Sequence, residues 1–160
     1  MQLFTKVIIV FVFIGSIIGC SKPVLPNESM FEVGIDDLSD IQVNQPFKIT
    51  GYLMNNSNYQ WELWHGAGIF TYEIYDEEGT LVSQNQKMLF RDDIGYIAKL
   101  EPNESYRQNG EEHRSKEYYQ FTITNPGRYK IKAKAEFKVS YEQLKYNYLI
   151  TSDEIYIMIK

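Results

Sequence analysis

The sequence predicts an all-β chain folded as an antiparallel sandwich, and three observations carry that expectation. Apolar residues recur at every second position through most of the chain after Met30, the spacing that lines one face of a strand. The alternating runs are short and separated by turn residues, as at Asp76-Glu77-Glu78-Gly79 and Asn125-Pro126-Gly127. Helical spacing is almost absent, while 13 Tyr and 9 Phe supply the aromatic residues that sheet cores favour.

The chain opens differently. Residues 1–6 carry one positive charge, Lys6, and an uncharged run rich in Val, Ile and Phe follows from Val7 to Cys20. That run is shorter than the ~20 apolar residues a spanning helix needs. A charged start, a short apolar core and a small-residue end are the parts of an export signal. Its end, Ile17-Ile18-Gly19-Cys20, resembles the lipobox of bacterial lipoproteins. In that family the cysteine takes a diacylglyceryl group on sulfur and the signal is cut off in front of it. The resemblance implies a signal peptide over residues 1–19, lipidation of Cys20, and an anchor on the extracytoplasmic face of the cell membrane. Each buried methylene contributes about 0.8 kcal/mol, so two acyl chains hold far more firmly than one. Cys20 is the only cysteine, so no disulfide partner exists. Two other readings stay open: an unmodified cysteine ending an uncleaved anchor, or an incidental residue in an ordinary secretory signal.

Residues 20–29 read as the lipidated cysteine and a spacer, since Pro23 and Pro26 favour extended chain. Residues 30–160 form the predicted domain, large enough to fold without disulfide or metal. The formal charge of −5 becomes one unit more negative when Lys6 is lost, which argues against nucleic acid as a partner.

Within the domain, Phe47, Ile49, Gly51 and Leu53 alternate with Lys48, Thr50, Tyr52 and Met54. Residues 58–65 are the most aromatic window. As a strand it sends Tyr59, Trp61 and Leu63 one way and Trp64 the other, with His65 in the turn that follows. Phe70, Tyr72 and Ile74 lead into the Asp76–Gly79 turn and then Thr80-Leu81-Val82, a hairpin pattern. Residues 107–117 are polar enough to read as a solvated connection. Phe121 and Ile123 precede a turn, and the cleanest strand follows over residues 128–139. Tyr129, Ile131, Ala133, Ala135, Phe137 and Val139 share its inner face. Residues 154–159 are nearly continuous apolar chain, which predicts a last strand covered on both sides.

These strands, in this order, resemble the bacterial intracellular proteinase inhibitor family. The matching segments are residues 47–57, Trp61-Glu-Leu63, His65-Gly-Ala67, and Phe70-x-Tyr72-x-Ile74-Tyr-Asp76-Glu-Glu-Gly79-Thr-Leu-Val82. Leu100-Glu-Pro-Asn-Glu104 is similar to the family's Leu-x-Pro-Gly-Glu turn, with Asn103 at the glycine, and Pro126-Gly-Arg-Tyr129 is similar to its entry to a late strand. The resemblance implies an immunoglobulin-like β-sandwich and, as an activity, inhibition of proteinases.

Residues with reactive side chains are few. His65 and His113 are the only histidines, without the spacing of a zinc site, and both read as surface residues. No Gly-x-Ser-x-Gly elbow, phosphate-cradling glycine loop or metalloprotease helix is present. The sequence therefore points to no catalytic residue, no metal and no cofactor. Asp76, Glu77 and Glu78 read as solvated turn acids, as do Asp36, Asp37 and Asp40, which lack the spacing of a calcium loop. Trp61 reads as core. Trp64, beside His65, is a candidate binding anchor, unless the polar connection covers it.

On the strand at 128–139 the outer face reads Arg128, Lys130, Lys132, Lys134, Glu136, Lys138. Lys130, Lys132 and Lys134 are thus candidates for meeting an anionic polymer or lipid headgroups. Alternatively, they pair with acids on neighbouring strands. The expectation is a lipid-anchored, non-enzymatic binding or accessory module whose partner is a protein or a cell-envelope polymer. The alternative is an extracytoplasmic proteinase inhibitor presenting the apolar run within residues 86–93.

Overall fold

The computed structural model describes residues 24–82, 89–91 and 93–160. In chain order its first strands are β1 (Phe31–Ile35), β2 (Pro46–Lys48), β3 (Gly51–Asn55), β4 (Trp61–His65) and β5 (Phe70–Tyr75). Then come β6 (Tyr96–Leu100), β7 (Ser105–Tyr106), β8 (Gln120–Thr122), β9 (Gly127–Tyr141), β10 (Leu144–Thr151) and β11 (Ile155–Ile159). Every pairing among them is antiparallel.

One layer runs β1-β3-β7 and the other β10-β9-β4-β6. Taking β1, β3, β4, β6, β7, β9 and β10 as strands A to G puts A, B and E in one sheet and D, C, F and G in the other. That is the two-sheet plan of an immunoglobulin-like sandwich. The layers meet through Phe31, Val33 and Leu53 on one side and Trp61, Leu63, Phe137 and Val139 on the other. The Phe31 and Phe137 rings meet edge to face at 5.2 Å, the arrangement their quadrupoles favour. A second cluster continues the core, with Ile49, Phe121 and Ile123 packed on Ile74, Ile131, Ile157 and Ile159.

β9 organises the sheet because it is long. Its 15 residues pair with β4 and then β5 along one flank, and with β10 and then β11 along the other. Each flank is therefore broken at mid-height, at residues 66–69 and 152–154. Ser152 bridges the second break: its N–H donates to the Ala133 carbonyl at 2.8 Å. Its Oγ accepts from the Ala133 N–H at 2.9 Å. All six inward residues of β9 named from alternation are buried.

Two expectations about the fold change. β11 is covered on one side only: Ile157 and Ile159 are buried, while Tyr156 and Met158 are exposed. Its outward side chains stay exposed, so its apolar run is not a sign of double burial. The polar stretch 107–117 is also not simply solvated, since Asn109 is buried at 6% exposure and Gly110 is buried with it. Asn103 has φ of +61°, a conformation that glycine and asparagine accept most readily, which suits it to the turn after β6. The chain is already packed at Pro26, which is buried, and Asn27 caps a 3-10 turn over Glu28–Met30.

Candidate ligand groove

The outer face of the β10-β9-β4-β6 sheet carries a groove of about 790 Å³. Strand alternation builds its floor. With Phe137 and Val139 turned inward, Lys138 points out, and the register sets Trp64 beside it on β4. Ile97 flanks Trp64 on the other side and is exposed. From β10, Lys145 reaches across the sheet and holds its ammonium 3.4 Å from the centroid of a Trp64 ring. The Trp64 Nε1–H donates to Glu62 at 2.8 Å. The indole is thus fixed at its edge and capped on its face.

One wall is the break between β4 and β5, the other a short rim. The Arg91 N–H donates to the His113 carbonyl at 3.0 Å, and the Ser115 N–H to the Leu89 carbonyl at 2.8 Å. Beside them the Leu89 N–H donates to Ser115 Oγ at 3.0 Å. This pairing brings Arg114 under the rim. Its Nη1 donates to the Phe70 carbonyl at 2.6 Å and its guanidinium lies 4.7 Å over the Tyr118 ring. Among the described residues its Nε has no hydrogen-bond partner. Burial pushes the guanidinium below its ordinary pKa.

What pulls Arg114 in is a buried polar chain. The Gly51 N–H donates to the Tyr72 hydroxyl at 2.6 Å, which donates to Asn109 Oδ1 at 2.7 Å. Asn109 Nδ2 donates to the Ile49 carbonyl at 3.0 Å. Two glycines let the segments approach. A Cβ on Gly68 would sit 2.5 Å from the Asn109 carbonyl, and one on Gly110, at φ +77°, only 2.0 Å from that of Ala67. Burial raises the Tyr72 pKa, keeping the hydroxyl protonated and able to donate.

His65 is not a surface turn residue. It ends β4 with 8% exposure, because the alternation that buries Trp61 and Leu63 extends one step further. Its Nδ1 lies 2.8 Å from the Gly66 carbonyl, which can only accept, so the proton sits on Nδ1. Nε2 then accepts from the Tyr106 hydroxyl at 2.8 Å. Tyr96 stacks on the ring, centroids 5.4 Å apart. Burial lowers its pKa, which the Gly66 hydrogen bond partly offsets.

The lysine stripe divides. Lys130 and Lys132 lie 3.3 and 2.9 Å from Glu154, and Lys134 lies 2.5 Å from Glu73. Arg128 sits 4.3 Å over the Tyr156 ring. The hydrogen bond from Lys132 is the largest cause holding the Glu154 carboxyl down at about 2. These three lysines are met by Glu73 on β5 and by Glu154 in the break before β11, and the groove instead gathers Trp64 and His65 with Lys138, Lys145 and Arg114. Lys145 lies on β10, a strand beyond those the sequence predicts. Its alternation was legible: Lys145, Asn147 and Leu149 face out between Tyr146, Tyr148 and Ile150.

Asp36 is held by Arg107 through a fork of contacts from 3.0 to 3.2 Å. Asp76 caps its own turn by accepting from the Thr80 N–H. Cys20 lies outside the described residues, as do residues 86–88 and 92 of the apolar run. Leu89 and Phe90 of that run are exposed, at 56% and 57%.

No family model and no curated protein matches this chain. Among solved structures it is similar to the ASH/PapD-like domain of human CEP192 (PapD-like domain 7), at 14% identity and a TM-score of 0.38. That alignment covers 82% of this chain and 87% of that one.

Proposed function

We propose that this chain is a non-enzymatic binding module, lipid-anchored through Cys20 on the extracytoplasmic face of a bacterial membrane, with the groove beside Trp64 as its ligand surface. The carrying observation is the groove itself. Its volume lies in the range of small-ligand sites, about 300–1,000 Å³, and it joins apolar surface to positioned cations. The non-enzymatic reading rests on His65: both ring nitrogens are engaged inside the domain, leaving neither for a substrate. The anchor rests on the lipobox-like Ile17-Ile18-Gly19-Cys20. Mass spectrometry of the membrane-extracted protein tests the anchor, with a lipid mass on an N-terminal Cys20 expected and lost in Cys20→Ser. An intact Met1 with no lipid on Cys20 would end that reading. For the ligand surface, Lys138→Glu should change which envelope components the protein retains, and an unchanged profile counts against it.

A second reading, proteinase inhibition, is favoured by one observation. Leu89 and Phe90 stand exposed on a rim fastened to residues 113–115 by three hydrogen bonds, as a rigid loop entering an apolar specificity pocket would be. Titration against subtilisin-like proteases decides it. Stoichiometric inhibition lost in Phe90→Asp supports the reading, and rapid digestion refutes it.

A further inference from the structure

We infer that the groove takes an extended acidic segment of another protein, an inference that rests on the groove being the binding surface. Charge selects the class of ligand. The chain carries −5 overall, yet among the described residues the groove is lined by Arg91, Arg114, Lys138 and Lys145 against one carboxylate, Glu136. Arg91 is already paired with Asp93. Among the described residues, none of the other three cations has a carboxylate within ion-pair distance. Arg114 weighs most. It is partly buried, pairs with a carbonyl rather than an acid, and keeps Nε without a partner. Glu136 acts on Arg114 only through space, and burial still outweighs it. A desolvated cation with no acid in contact is unfavourable, and an arriving carboxylate offsets that cost where the local dielectric is low.

The apolar lining then chooses among anions. Phe90, Ile94 and Leu149 share the groove with the cations, and an acidic polysaccharide has only the C–H faces of its rings to place on them. On Trp64 a sugar would compete with the Lys145 ammonium, which already sits over one face of the indole. An acyl chain would leave the cations of the lining without a partner. A peptide carrying Asp or Glu among apolar side chains uses both parts of the lining. Holding Lys145 on the indole also reduces the side-chain freedom lost on binding.

The test pans a displayed library of random peptides against the immobilised, detergent-extracted full-length protein. Enriched sequences should intersperse Asp or Glu with Leu, Ile, Val or Phe, and synthetic copies should bind more weakly as salt is raised. Lys138→Glu and Lys145→Glu should each weaken them by about tenfold or more, while Lys132→Gln, whose lysine is paired elsewhere, leaves binding unchanged. Circular dichroism confirms that each variant is folded. Enrichment of neutral or basic peptides, acidic peptides indifferent to both groove variants, or no enrichment at all overturns the inference. Binding of polygalacturonate or phosphatidylglycerol vesicles, lost in both variants while acidic peptides fail to bind, overturns it as well. In that case the groove remains a ligand surface with a different occupant, so the broader reading survives.

Discussion

Replacing Asn109 by alanine removes the joint between the polar segment and the core. Two hydrogen bonds go, from Asn109 Nδ2 to the Ile49 carbonyl and from the Tyr72 hydroxyl to Asn109 Oδ1. A typical intramolecular hydrogen bond is worth ~1 kcal/mol net, and a buried group left without its partner costs ~1 kcal/mol or more besides. Ile49 is fully buried, so its carbonyl has no easy route to water. Tyr72 is half-buried and still accepts from Gly51, which limits the second penalty. The sum is about 3 kcal/mol. For a domain of this size each kcal/mol moves Tm by roughly 3 °C, so Tm should fall by roughly 10 °C. Urea unfolding of wild type, Asn109→Ala, Tyr72→Phe and the double variant reads the effect. Because the two side chains share one bond, the double variant should lose about 1 kcal/mol less than the two single losses combined. Asn109→Ala within about 0.5 kcal/mol of wild type, or strict additivity, would refute the reasoning. The same variant should weaken ligand binding, since Asn109 holds the segment that carries Arg114.

His65 makes stability depend on pH. Its folded-state pKa is depressed, by burial first and by the Arg114 charge, while the Gly66 hydrogen bond opposes the shift. The other groups facing it are Tyr96, Tyr106 and, beyond Tyr96, His113. The unfolded chain therefore takes up the proton first, and stability present above pH ~6.5 is lost as pH falls below it. Urea midpoints measured between pH 8 and 5 should decline in wild type and stay flat in His65→Phe across that window; equal slopes would remove His65 as the cause. Glu154 is a second case, held down at about 2 chiefly by its hydrogen bond from Lys132. Carboxyl titration by NMR should find it near that value and find it moved back up in Lys132→Ala. An unchanged titration would mean that the pairing with Lys132 does not form in solution.

The sequence alone determined the class of fold, and it did so through local geometry. Side chains of a strand alternate whatever the strand is paired with, so the inner face of β9, the buried Trp61 and the hairpin after Ile74 could be read without knowing any neighbour. Turn chemistry is equally local, as the positive φ of Asn103 and Gly79 shows. What the sequence left undecided depends on contacts between distant segments. Whether Lys134 meets a ligand or an acid is settled by Glu73, 61 residues away, through the register of β5 on β9. His65 was misread because its strand runs one residue longer than expected, and one step of alternation turns a side chain from solvent to core. Residues 107–117 misled for a related reason. Polarity marks a solvated loop only while the backbone has no buried partner to satisfy, and Asn109 meets the Ile49 carbonyl, which lies in the gap between β2 and β3. The groove itself is wholly tertiary. Trp64, Lys138, Lys145 and Arg114 lie on four different stretches of chain, and only the pairing of β4, β9 and β10, with Arg114 drawn under the rim, makes them neighbours.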